Sequence, residues 1–179
     1  MVARVKVAII GYSGCGKSTL AKIIAEKYSL PIQHLDKVHW LPGWEEREFE
    51  DEYKIAKDFL DNNDSWVIDG NYTRLERNRR LGEADWIIFM NFNRFVCFSR
   101  ILKRHKTYKN VQRDSITEGC PERLNLDYLQ WALFKGRTWR AKANYSRVAN
   151  RHPEKFLEIK NQKELDEFIA SLDAKLVKA

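Results

Sequence analysis

The sequence predicts an α/β protein in which helices cover both faces of a parallel five-stranded sheet, giving three α/β/α layers. Segments with strand character alternate with segments of helical periodicity along the chain, as in sheets built with right-handed crossovers. An apolar run at 5–10 (VKVAII) leads directly into the phosphate-binding motif G-x-x-x-x-G-K-[ST], a P-loop, at 11–18. A buried strand followed by a glycine-rich turn and a helix is the context in which this motif binds phosphate.

The elements near the amino-terminal end follow from local pattern. A helix is predicted at 17–28, where apolar residues recur at helical spacing. The run 31–35 predicts a second short strand. Pro42 and Gly43 then mark 36–44 as a loop, because both residues favour turns.

The next elements alternate in the same way. Apolar and aromatic residues repeat at helical spacing up to a polar Asn-Asn-Asp run, which predicts a helix at 49–60. Short apolar runs predict strands at 66–68 and 86–90. A helix is predicted at about 95–104, ending in basic residues.

The remaining chain begins with a polar segment without periodicity at about 105–123, which we name the lid segment for its position. A long helical region at about 126–148 follows, and Gly136 weakens it by about 1 kcal/mol relative to Ala. A strand at 156–159 and a closing helix at about 163–172 complete the pattern.

The 179 residues are expected to form a single domain over 1–179, with a sizeable core. The sequence contains no run of about 18 apolar residues, so no membrane span is predicted. The first residues lack the pattern of a signal peptide, which predicts a cytoplasmic protein. Cys15, Cys97 and Cys120 lack metal-ligand spacing and are expected to be reduced thiols.

The net charge of +7 is concentrated in the middle of the chain. Residues 74–151 hold 18 Lys and Arg against 7 Asp and Glu, whereas residues 1–73 hold 9 against 12. Such a basic region fits the backbone of a nucleic acid. It equally fits a set of arginines that neutralises the phosphates of two nucleotides, which is the interpretation that a P-loop favours.

The P-loop supplies the first candidate site. Its glycines let backbone N–H groups converge on phosphate oxygens at the start of a helix, where anions are favoured. Lys17 is expected to neutralise the β- and γ-phosphates as a catalytic residue, and the Ser18 hydroxyl to bind Mg²⁺. The predicted nucleotide-binding residues here are Gly11, Tyr12, Ser13, Gly14, Cys15, Gly16, Lys17, Ser18 and Thr19.

The stretch WVIDGNYTR contains a second candidate. Asp69 ends a hydrophobic strand, as does the carboxylate that holds Mg²⁺ through water in P-loop proteins. Ser18 and Asp69 together are therefore the predicted magnesium site. The alternative is that Asp69 only caps a turn.

Two motifs resemble nucleoside monophosphate kinases. WVIDGNYTR is similar to the pattern LDGFPR of those enzymes, which surrounds the phosphate acceptor. RILKR is similar to their arginine pair before the lid, and this implies that Arg100 lies against adenine and Arg104 contacts phosphates. Four-residue spacing puts both on one helix face. Without the resemblance, they are the solvated end of a basic helix.

Nearly the whole chain, about 5–172, resembles a narrower family of bacterial adenylate-kinase-related proteins, often labelled DNA topology modulation proteins. The resemblance rests on HLDKVHWLPGW, SWVIDGNY, Arg80 before ADWIIFM, EGCPERLNLDYLQW and the closing strand and helix. It implies a nucleoside monophosphate kinase-like fold with a short lid. The candidate acceptor-binding residues are Asp36, His39, Trp40, Asn71 and Arg80.

The acceptor side departs from shikimate-type kinases, which carry D-x-D after the second strand. This chain has His34-Leu35-Asp36, so one carboxylate remains, and Asp36 is the candidate catalytic carboxylate. His39, Trp40 and Trp44 follow closely. A base could stack on these rings, or the two tryptophans could cap the core.

The lid segment must close over the phosphates to exclude water, since otherwise ATP is hydrolysed. Arg113 and Arg123 are its candidate arginines. Arg137, a candidate catalytic residue, and Arg140 lie on the helix behind it. Each has the alternative of a solvated surface position.

The leading hypothesis is an ATP- and Mg²⁺-dependent phosphotransferase of the nucleoside monophosphate kinase type. Its acceptor is expected to be a nucleotide, with residues 36–63 as an acceptor-side insertion, and its state a monomer or homodimer. The alternatives are a nucleic-acid-associated ATPase or regulator, for which the sequence shows no DNA-reading motif, and a kinase for a non-nucleotide metabolite.

Overall fold

The computed structural model describes residues 5–109, 111–122 and 124–176. Within them the strands are β1 (Lys6–Gly11), β2 (Ile32–His34), β3 (Trp40–Leu41), β4 (Glu45–Glu46), β5 (Trp66–Asp69), β6 (Trp86–Met90) and β7 (Phe156–Ile159). The α-helices are α1 (Lys17–Tyr28), α2 (Leu35–His39), α3 (Phe49–Asn62), α4 (Arg77–Glu83), α5 (Arg94–Thr107), α6 (Leu126–Leu133), α7 (Trp139–Arg151), α8 (Gln162–Ala170) and α9 (Leu172–Leu176). Single 3-10 turns lie at Pro42–Trp44 and Lys135–Arg137.

Five strands form one sheet in the order β2-β5-β1-β6-β7, and every neighbouring pair is parallel. Successive side chains of β1 point to opposite faces. Val7 and Ile9 pack with α1 and α8 in one apolar core. Ala8 and Ile10 pack with α3, α4 and α7 in a second core on the other face. The predicted three-layer α/β/α architecture with a parallel five-stranded sheet is confirmed.

Two elements differ from the sequence prediction on the acceptor side. The segment 36–44, predicted as a loop, contains most of α2 and then enters the two-stranded antiparallel hairpin β3–β4. Gly43 occupies the turn with φ of 79°, a backbone conformation that favours glycine. Helix α4 is not predicted by the sequence analysis, because its RNRRLGE sequence offers a single strongly apolar residue.

The predicted long helix 126–148 is two helices. Helix α6 ends at Leu133, a 3-10 turn runs through Gly136, and Thr138 caps the start of α7 by accepting a hydrogen bond from the Ala141 N–H group at 3.3 Å. Glycine lowers helical stability and Thr favours an N-cap position, so the break has a local cause.

None of the helices in the described part of the chain is long and apolar enough to cross a membrane.

Candidate functional site

The P-loop connects β1 to α1 at the carboxyl edge of the sheet. Gly11 and Gly14 have φ of 145° and 76°, which glycine adopts readily. A Cβ atom at Gly11 would lie 2.5 Å from the Met90 carbonyl oxygen, and one at Gly14 would lie 2.6 Å from that of Cys97. The loop is therefore packed directly against the end of β6 and against α5, which requires glycine at both positions.

Side chains of the P-loop divide between core and surface. Tyr12 is buried, with its ring centroid 5.3 Å from that of Tyr145. Cys15 is fully buried, and burial raises the pKa of its thiol. Ser13 Oγ lies 2.6 Å from the Tyr128 hydroxyl, whereas Thr19 is exposed on the first turn of α1. Tyr12 and Cys15 thus contribute backbone groups, not side chains, to the loop's open face.

The Lys17 side chain reaches back across the P-loop. Its ammonium group donates a hydrogen bond to the Tyr12 carbonyl oxygen at 3.0 Å. Burial alone would lower the pKa of Lys17, but nearby acidic groups that include Asp36 and Asp69 raise it above the ordinary value. The ammonium is therefore fully charged at neutral pH, as phosphate neutralisation requires.

The Asp69 carboxylate, at the end of β5, contacts side chains of α1 and β2. Its Oδ2 atom accepts a hydrogen bond from the Ser18 hydroxyl at 2.7 Å, and its Oδ1 atom is hydrogen-bonded to Nδ1 of His34. Sheet register explains this, because His34 and Asp69 are direct partners on neighbouring parallel strands. The predicted proximity of Ser18 and Asp69 is present in the structure.

The residues present fit Mg²⁺ as P-loop proteins bind it. Ser18 and Asp69 offer adjacent hydroxyl and carboxylate oxygens, the hard ligands that Mg²⁺ prefers. In the described ranges, no group of three or more His, Cys, Asp or Glu side chains forms a metal cluster.

Asp36 lies on α2, directly beyond the carboxyl end of β2. Its side chain is exposed, and its Oδ1 atom accepts a hydrogen bond from the Tyr72 hydroxyl at 2.8 Å. Burial, with the Asp36 charge next, raises the pKa of Tyr72. Tyr72 therefore stays a protonated donor that orients the carboxylate at neutral pH.

His39 and Trp40, predicted to bind the acceptor, occupy different environments. His39 is buried, and its Nδ1 atom lies 2.8 Å from Oε2 of Glu52. Glu52 is completely buried and also forms an ion pair with Arg74, whose Nε atom lies 2.5 Å from Oε1. Trp40 is half-buried beside the His39 ring, with centroids 4.5 Å apart. The His39 imidazole is thus committed to an internal network.

Sequence reasoning missed Glu52, although a signal for its burial was present. Glu52, Ala56 and Leu60 are spaced four residues apart on α3 and are all buried, so they share one face. A carboxylate on such a face needs a cationic partner, because an unpaired buried charge is costly. The partners come from distant segments, which the sequence pattern does not reveal.

Glu52→Ala is expected to lower the free energy of unfolding by about 3 kcal/mol or more, because it leaves His39 and Arg74 without their shared buried carboxylate. Glu50→Ala, at an exposed position of the same helix, should cost about 1 kcal/mol or less. Urea denaturation of both variants measures the difference. Equal costs would show that the buried network contributes nothing specific to stability.

Asn71 and Arg80, both predicted to bind substrate, contact backbone groups in the structure. The Asn71 amide accepts a hydrogen bond from Gly11 N–H at 3.0 Å and donates one to Gly11 C=O at 2.5 Å. Arg80 is 1% exposed and donates to the carbonyl oxygens of Leu75 and Tyr72, each at 2.6 Å. The structure does not bring the Arg80 guanidinium to the P-loop, since it anchors the segment that carries Tyr72.

The arginine pair of α5 lies beside the P-loop. Arg100 donates to the Cys15 carbonyl oxygen at 2.7 Å and to Oε1 of Gln162 at 2.5 Å. Its guanidinium lies 4.3 Å from the centroid of the Phe92 ring. This flat group between the P-loop and the start of α8 is where the resemblance implies an adenine contact.

Arg104 belongs to a cluster of side chains that contacts the P-loop. It donates to Glu122 at 3.0 Å and to the Tyr128 hydroxyl at 3.1 Å, and Tyr128 in turn contacts Ser13. Glu122 also forms an ion pair with Arg113. The structure thus brings Arg104 and Arg113 together. Sequence reasoning assigned no role to Glu122, which stood in the polar stretch without periodicity, or to Tyr128, which stood near the start of the predicted helix 126–148.

The other predicted arginines lie elsewhere. Arg137 stacks 3.8 Å from the centroid of the Tyr12 ring, and its terminal nitrogens contact the Phe92 carbonyl oxygen and Cys97 Sγ. These contacts give it a packing role, and its catalytic role stays a prediction. Arg140 is exposed over the ring of Trp139. Arg123 lies outside the described residues.

The lid segment begins inside α5, which extends beyond its predicted end to Thr107. Its later part contacts the β3–β4 hairpin, since Thr117 Oγ1 donates to the Trp40 carbonyl oxygen at 2.5 Å. Gly43 N–H donates to the Gly119 carbonyl oxygen at 2.9 Å, and Trp44 Nε1–H to that of Pro121 at 2.9 Å. The lid segment therefore joins the cluster of Arg104, Arg113 and Glu122 to the β3–β4 hairpin on the acceptor side.

Comparison with known proteins gives two sequence relatives and a family match. The family model described as AAA domain matches residues 7–118, more than half of the chain. Adenylate kinase from Encephalitozoon cuniculi (strain GB-M1) is 27% identical over 118 residues, which cover 56% of this chain and 67% of that protein. Shikimate kinase from Rhodopirellula baltica (strain DSM 10527 / NCIMB 13988 / SH1) is 63% identical over 30 residues, covering 17% and 16%.

Solved structures with similar folds cover nearly the whole chain. A gluconokinase from Sinorhizobium meliloti 1021 has a TM-score of 0.55 at 16% identity, covering 99% of this chain and 94% of that one. Shikimate kinase from Acinetobacter baumannii in complex with shikimate has a TM-score of 0.54 at 12% identity, covering 99% and 96%. Deoxyadenosine kinase from M.mycoides with bound dATP has a TM-score of 0.54 at 19% identity, covering 94% and 99%. At these identities the likeness concerns the fold.

Proposed function

This chain belongs to the AAA domain family, and on that premise we propose that it is an ATP- and Mg²⁺-dependent phosphotransferase acting on a nucleotide or other small-molecule acceptor. The observation that carries the proposal is the hydrogen bond of 2.7 Å between the Ser18 hydroxyl and Asp69 at the carboxyl edge of the sheet. It joins the P-loop helix to a strand-end carboxylate, as phosphoryl transfer with a metal requires. The names of the adenylate, shikimate, gluconate and deoxyadenosine kinases support the same reaction class.

Each group at this edge has a role in positioning or charge neutralisation. Backbone N–H groups of the P-loop bind the phosphates of ATP, and the Lys17 ammonium moves from the Tyr12 carbonyl oxygen to phosphate oxygens. Ser18 and Asp69 would hold Mg²⁺, which neutralises charge on the β- and γ-phosphates. Arg104 stabilises the charge of the transferring group, where a fixed cation has its largest effect.

The acceptor binds on the α2 side of the P-loop in this proposal. Asp36 orients the attacking oxygen of the acceptor, and accepts its proton where that oxygen is a hydroxyl, while Tyr72 fixes the carboxylate by its hydrogen bond. Residues 36–63 form the acceptor side and the lid segment excludes water. We propose a nucleotide acceptor, because Trp40 and Trp44 offer aromatic surface near Asp36, with ring centroids 5.5 Å apart.

The test is a direct survey of acceptors. Protein incubated with Mg·ATP and single nucleoside monophosphates, nucleosides, shikimate or gluconate should release ADP in stoichiometric amounts with one phosphorylated product. A nucleoside diphosphate formed from a nucleoside monophosphate supports the nucleotide acceptor, whereas a phosphorylated nucleoside or metabolite replaces it with the non-nucleotide alternative. Absence of any phosphorylated product across the panel would contradict the phosphotransferase proposal.

Asp69→Asn is expected to raise the Mg²⁺ concentration needed for half-maximal turnover by about tenfold or more, because a neutral amide holds the metal's water shell less well. Asp64→Asn, at an exposed position near the opposite end of β5, is the matched control. Magnesium titrations of turnover measure both. An unchanged titration for Asp69→Asn would reduce Asp69 to a turn residue.

Arg104→Gln is expected to lower turnover by about 10²-fold or more with a smaller change in ATP affinity, since its charge acts mainly in the transition state. Arg100→Gln should weaken ATP binding more than it lowers turnover, because the resemblance implies that Arg100 lies against the adenine base. Lys103→Gln, an exposed change on the same helix, is the control. Initial-rate kinetics with varied ATP separate the two effects. Normal kinetics in both variants would remove the pair from the site.

A second candidate function, binding of single-stranded nucleic acid by an ATPase, is favoured by one surface. Phe95, Phe134 and Trp139 are 70%, 59% and 72% exposed. Arg94 lies 5.9 Å from the Phe134 ring centroid, and Arg140 lies over Trp139. Exposed rings beside arginines bind bases by stacking and phosphates by charge.

ATP turnover with and without a single-stranded DNA oligonucleotide distinguishes the two functions. DNA-stimulated ATP hydrolysis without an acceptor product, lost in Trp139→Ala, would favour the second candidate. Acceptor-dependent turnover that DNA leaves unchanged supports the phosphotransferase.

A further inference from the structure

A cavity of about 440 Å³ lies on the α7 side of the sheet, behind the P-loop. It is bounded by the carboxyl ends of β6 and β7, the first residues of α5 and one face of α7. Asp36, Asp69 and Lys17 do not line it, so it is separate from the site of phosphoryl transfer proposed above. Its volume falls in the range of small-molecule sites.

Aromatic rings form the floor of the cavity. Tyr145 stacks on Phe89 with centroids 4.1 Å apart and meets Tyr12 edge-on at 5.3 Å. Phe156 lies 6.0 Å from Phe89 at the far side. Such a floor offers apolar area and ring edges to a flat ligand.

The charged side chains of the lining are predominantly cationic. Arg94, Arg137 and Lys142 line the cavity with a single carboxylate, Glu158. Glu158 is already engaged, since it accepts a hydrogen bond from the Asn91 amide at 2.6 Å and pairs with Lys160 at 3.3 Å.

Three cationic groups keep unused binding capacity. Among the described residues, Arg94 and Lys142 form no ion pair with a carboxylate. The buried Nε atom of Arg137 has no hydrogen-bond partner there either. Cations left unpaired around an aromatic floor attract a negatively charged group.

We propose that this cavity binds a small anion with a flat ring, such as an aromatic carboxylate or a nucleoside monophosphate. The ring lies against the aromatic floor, and the carboxylate or phosphate group contacts Lys142 and Arg94 at the rim. The two sources share this chemistry, and the experiment distinguishes them.

Binding of a ligand in the cavity affects the P-loop, because Tyr12 belongs to both. The Tyr12 ring forms part of the floor and stacks on Arg137, while its carbonyl oxygen accepts the Lys17 hydrogen bond. A ligand that fixes the ring fixes the loop segment carrying that carbonyl group. Binding at the two sites is therefore coupled, and coupling of affinities is reciprocal.

Isothermal titration calorimetry with 4-hydroxybenzoate and with AMP tests the site, using protein saturated with the magnesium complex of a non-hydrolysable ATP analogue. An uncharged analogue, 4-hydroxybenzyl alcohol, reports the contribution of charge. At least one anion should bind, and the alcohol should bind about tenfold or more weakly, since a charge-assisted contact is lost.

Two matched pairs of variants on α7 locate the binding. Ser146→Trp fills the cavity from its rim, whereas Asn150→Trp adds the same ring at an exposed position outside the lining. Lys142→Gln removes a lining charge, whereas Arg147→Gln removes an exposed charge outside it. Ser146→Trp should abolish binding in the cavity, so that AMP keeps only the binding of its acceptor site. Lys142→Gln should weaken binding in the cavity about tenfold, and the controls should bind as the parent does.

The anion whose affinity falls in Ser146→Trp shows which ligand the cavity binds, an aromatic carboxylate or a nucleoside monophosphate. Failure of both anions to bind, or titrations of both that Ser146→Trp leaves unchanged, would overturn the site. AMP that binds to Ser146→Trp as it does to the parent occupies the proposed acceptor site instead. Equal affinity for the alcohol would overturn the anionic class. The bound anion should also change the affinity for the ATP analogue by about fivefold or more, and an unchanged affinity would overturn the coupling.

Discussion

Lys17→Ala is expected to lower phosphoryl transfer by about 10³-fold or more while the chain stays folded. The Lys17 ammonium makes its hydrogen bond to the Tyr12 carbonyl oxygen at the mouth of the P-loop. The variant loses the cation that contacts the transferring phosphate, but no buried charge is left without its partner. Initial rates with saturating Mg·ATP and acceptor, together with the thermal midpoint, measure both parts of the expectation.

Lys27→Ala is the matched control, because it removes a lysine from the other end of the same helix, where Lys27 pairs with Asp173 at 2.9 Å. Its turnover should equal that of the parent protein. Turnover of Lys17→Ala within tenfold of the parent would contradict the assignment of the P-loop as the site of phosphoryl transfer. If Lys17→Ala fails to fold while Lys27→Ala folds, the expectation that the chain stays folded without the Lys17 side chain is wrong.

Asp36→Asn is expected to lower turnover by about 10²-fold or more with little change in ATP affinity, which is the range for a positioned acid–base group. Asp36 is exposed beyond the carboxyl end of β2, where ligands of parallel α/β sheets bind. The amide keeps the size of the side chain and loses its ability to accept a proton. Turnover, ATP affinity and thermal midpoint measured on one preparation separate this effect from instability.

Tyr72→Phe provides the comparison, since it removes the hydrogen bond at 2.8 Å and leaves the Asp36 carboxylate in place. If Asp36 acts on the acceptor, Asp36→Asn loses far more turnover than Tyr72→Phe. If Asp36 only caps the turn leading to Trp40, both variants lose stability and keep their rate per folded molecule. That second outcome would remove Asp36 from the site.

Local pattern was sufficient for most elements of the fold. Helix α1 and strand β7 have the predicted bounds, because their apolar periodicity and their punctuation by turn residues agree. The hairpin β3–β4 was not predictable, since each strand has two residues and no alternation can be detected over that length. The sequence identified Gly136 as a residue that weakens the predicted helix. Thr138, which is the N-cap of α7, explains why the structure has two helices there.

The sequence by itself determined the fold class and the edge of the sheet at which Ser18 and Asp69 lie. Carboxyl ends of parallel strands share one edge of a sheet, so a P-loop after β1 and an aspartate ending β5 lie at that edge. Their contact depends on the strand order of the structure, in which β1 and β5 are neighbours.

Only the tertiary structure decided which charged side chains pair with each other. Glu52 is buried against Arg74, Arg80 is turned inward to backbone carbonyl groups, and Glu122 joins Arg104 to the lid segment. These partners come from separate elements, and their pairing depends on which groups lose water when helices and loops pack. A basic or acidic residue looks the same in the sequence whether it faces solvent, a phosphate or a buried partner, and burial alone separates the three.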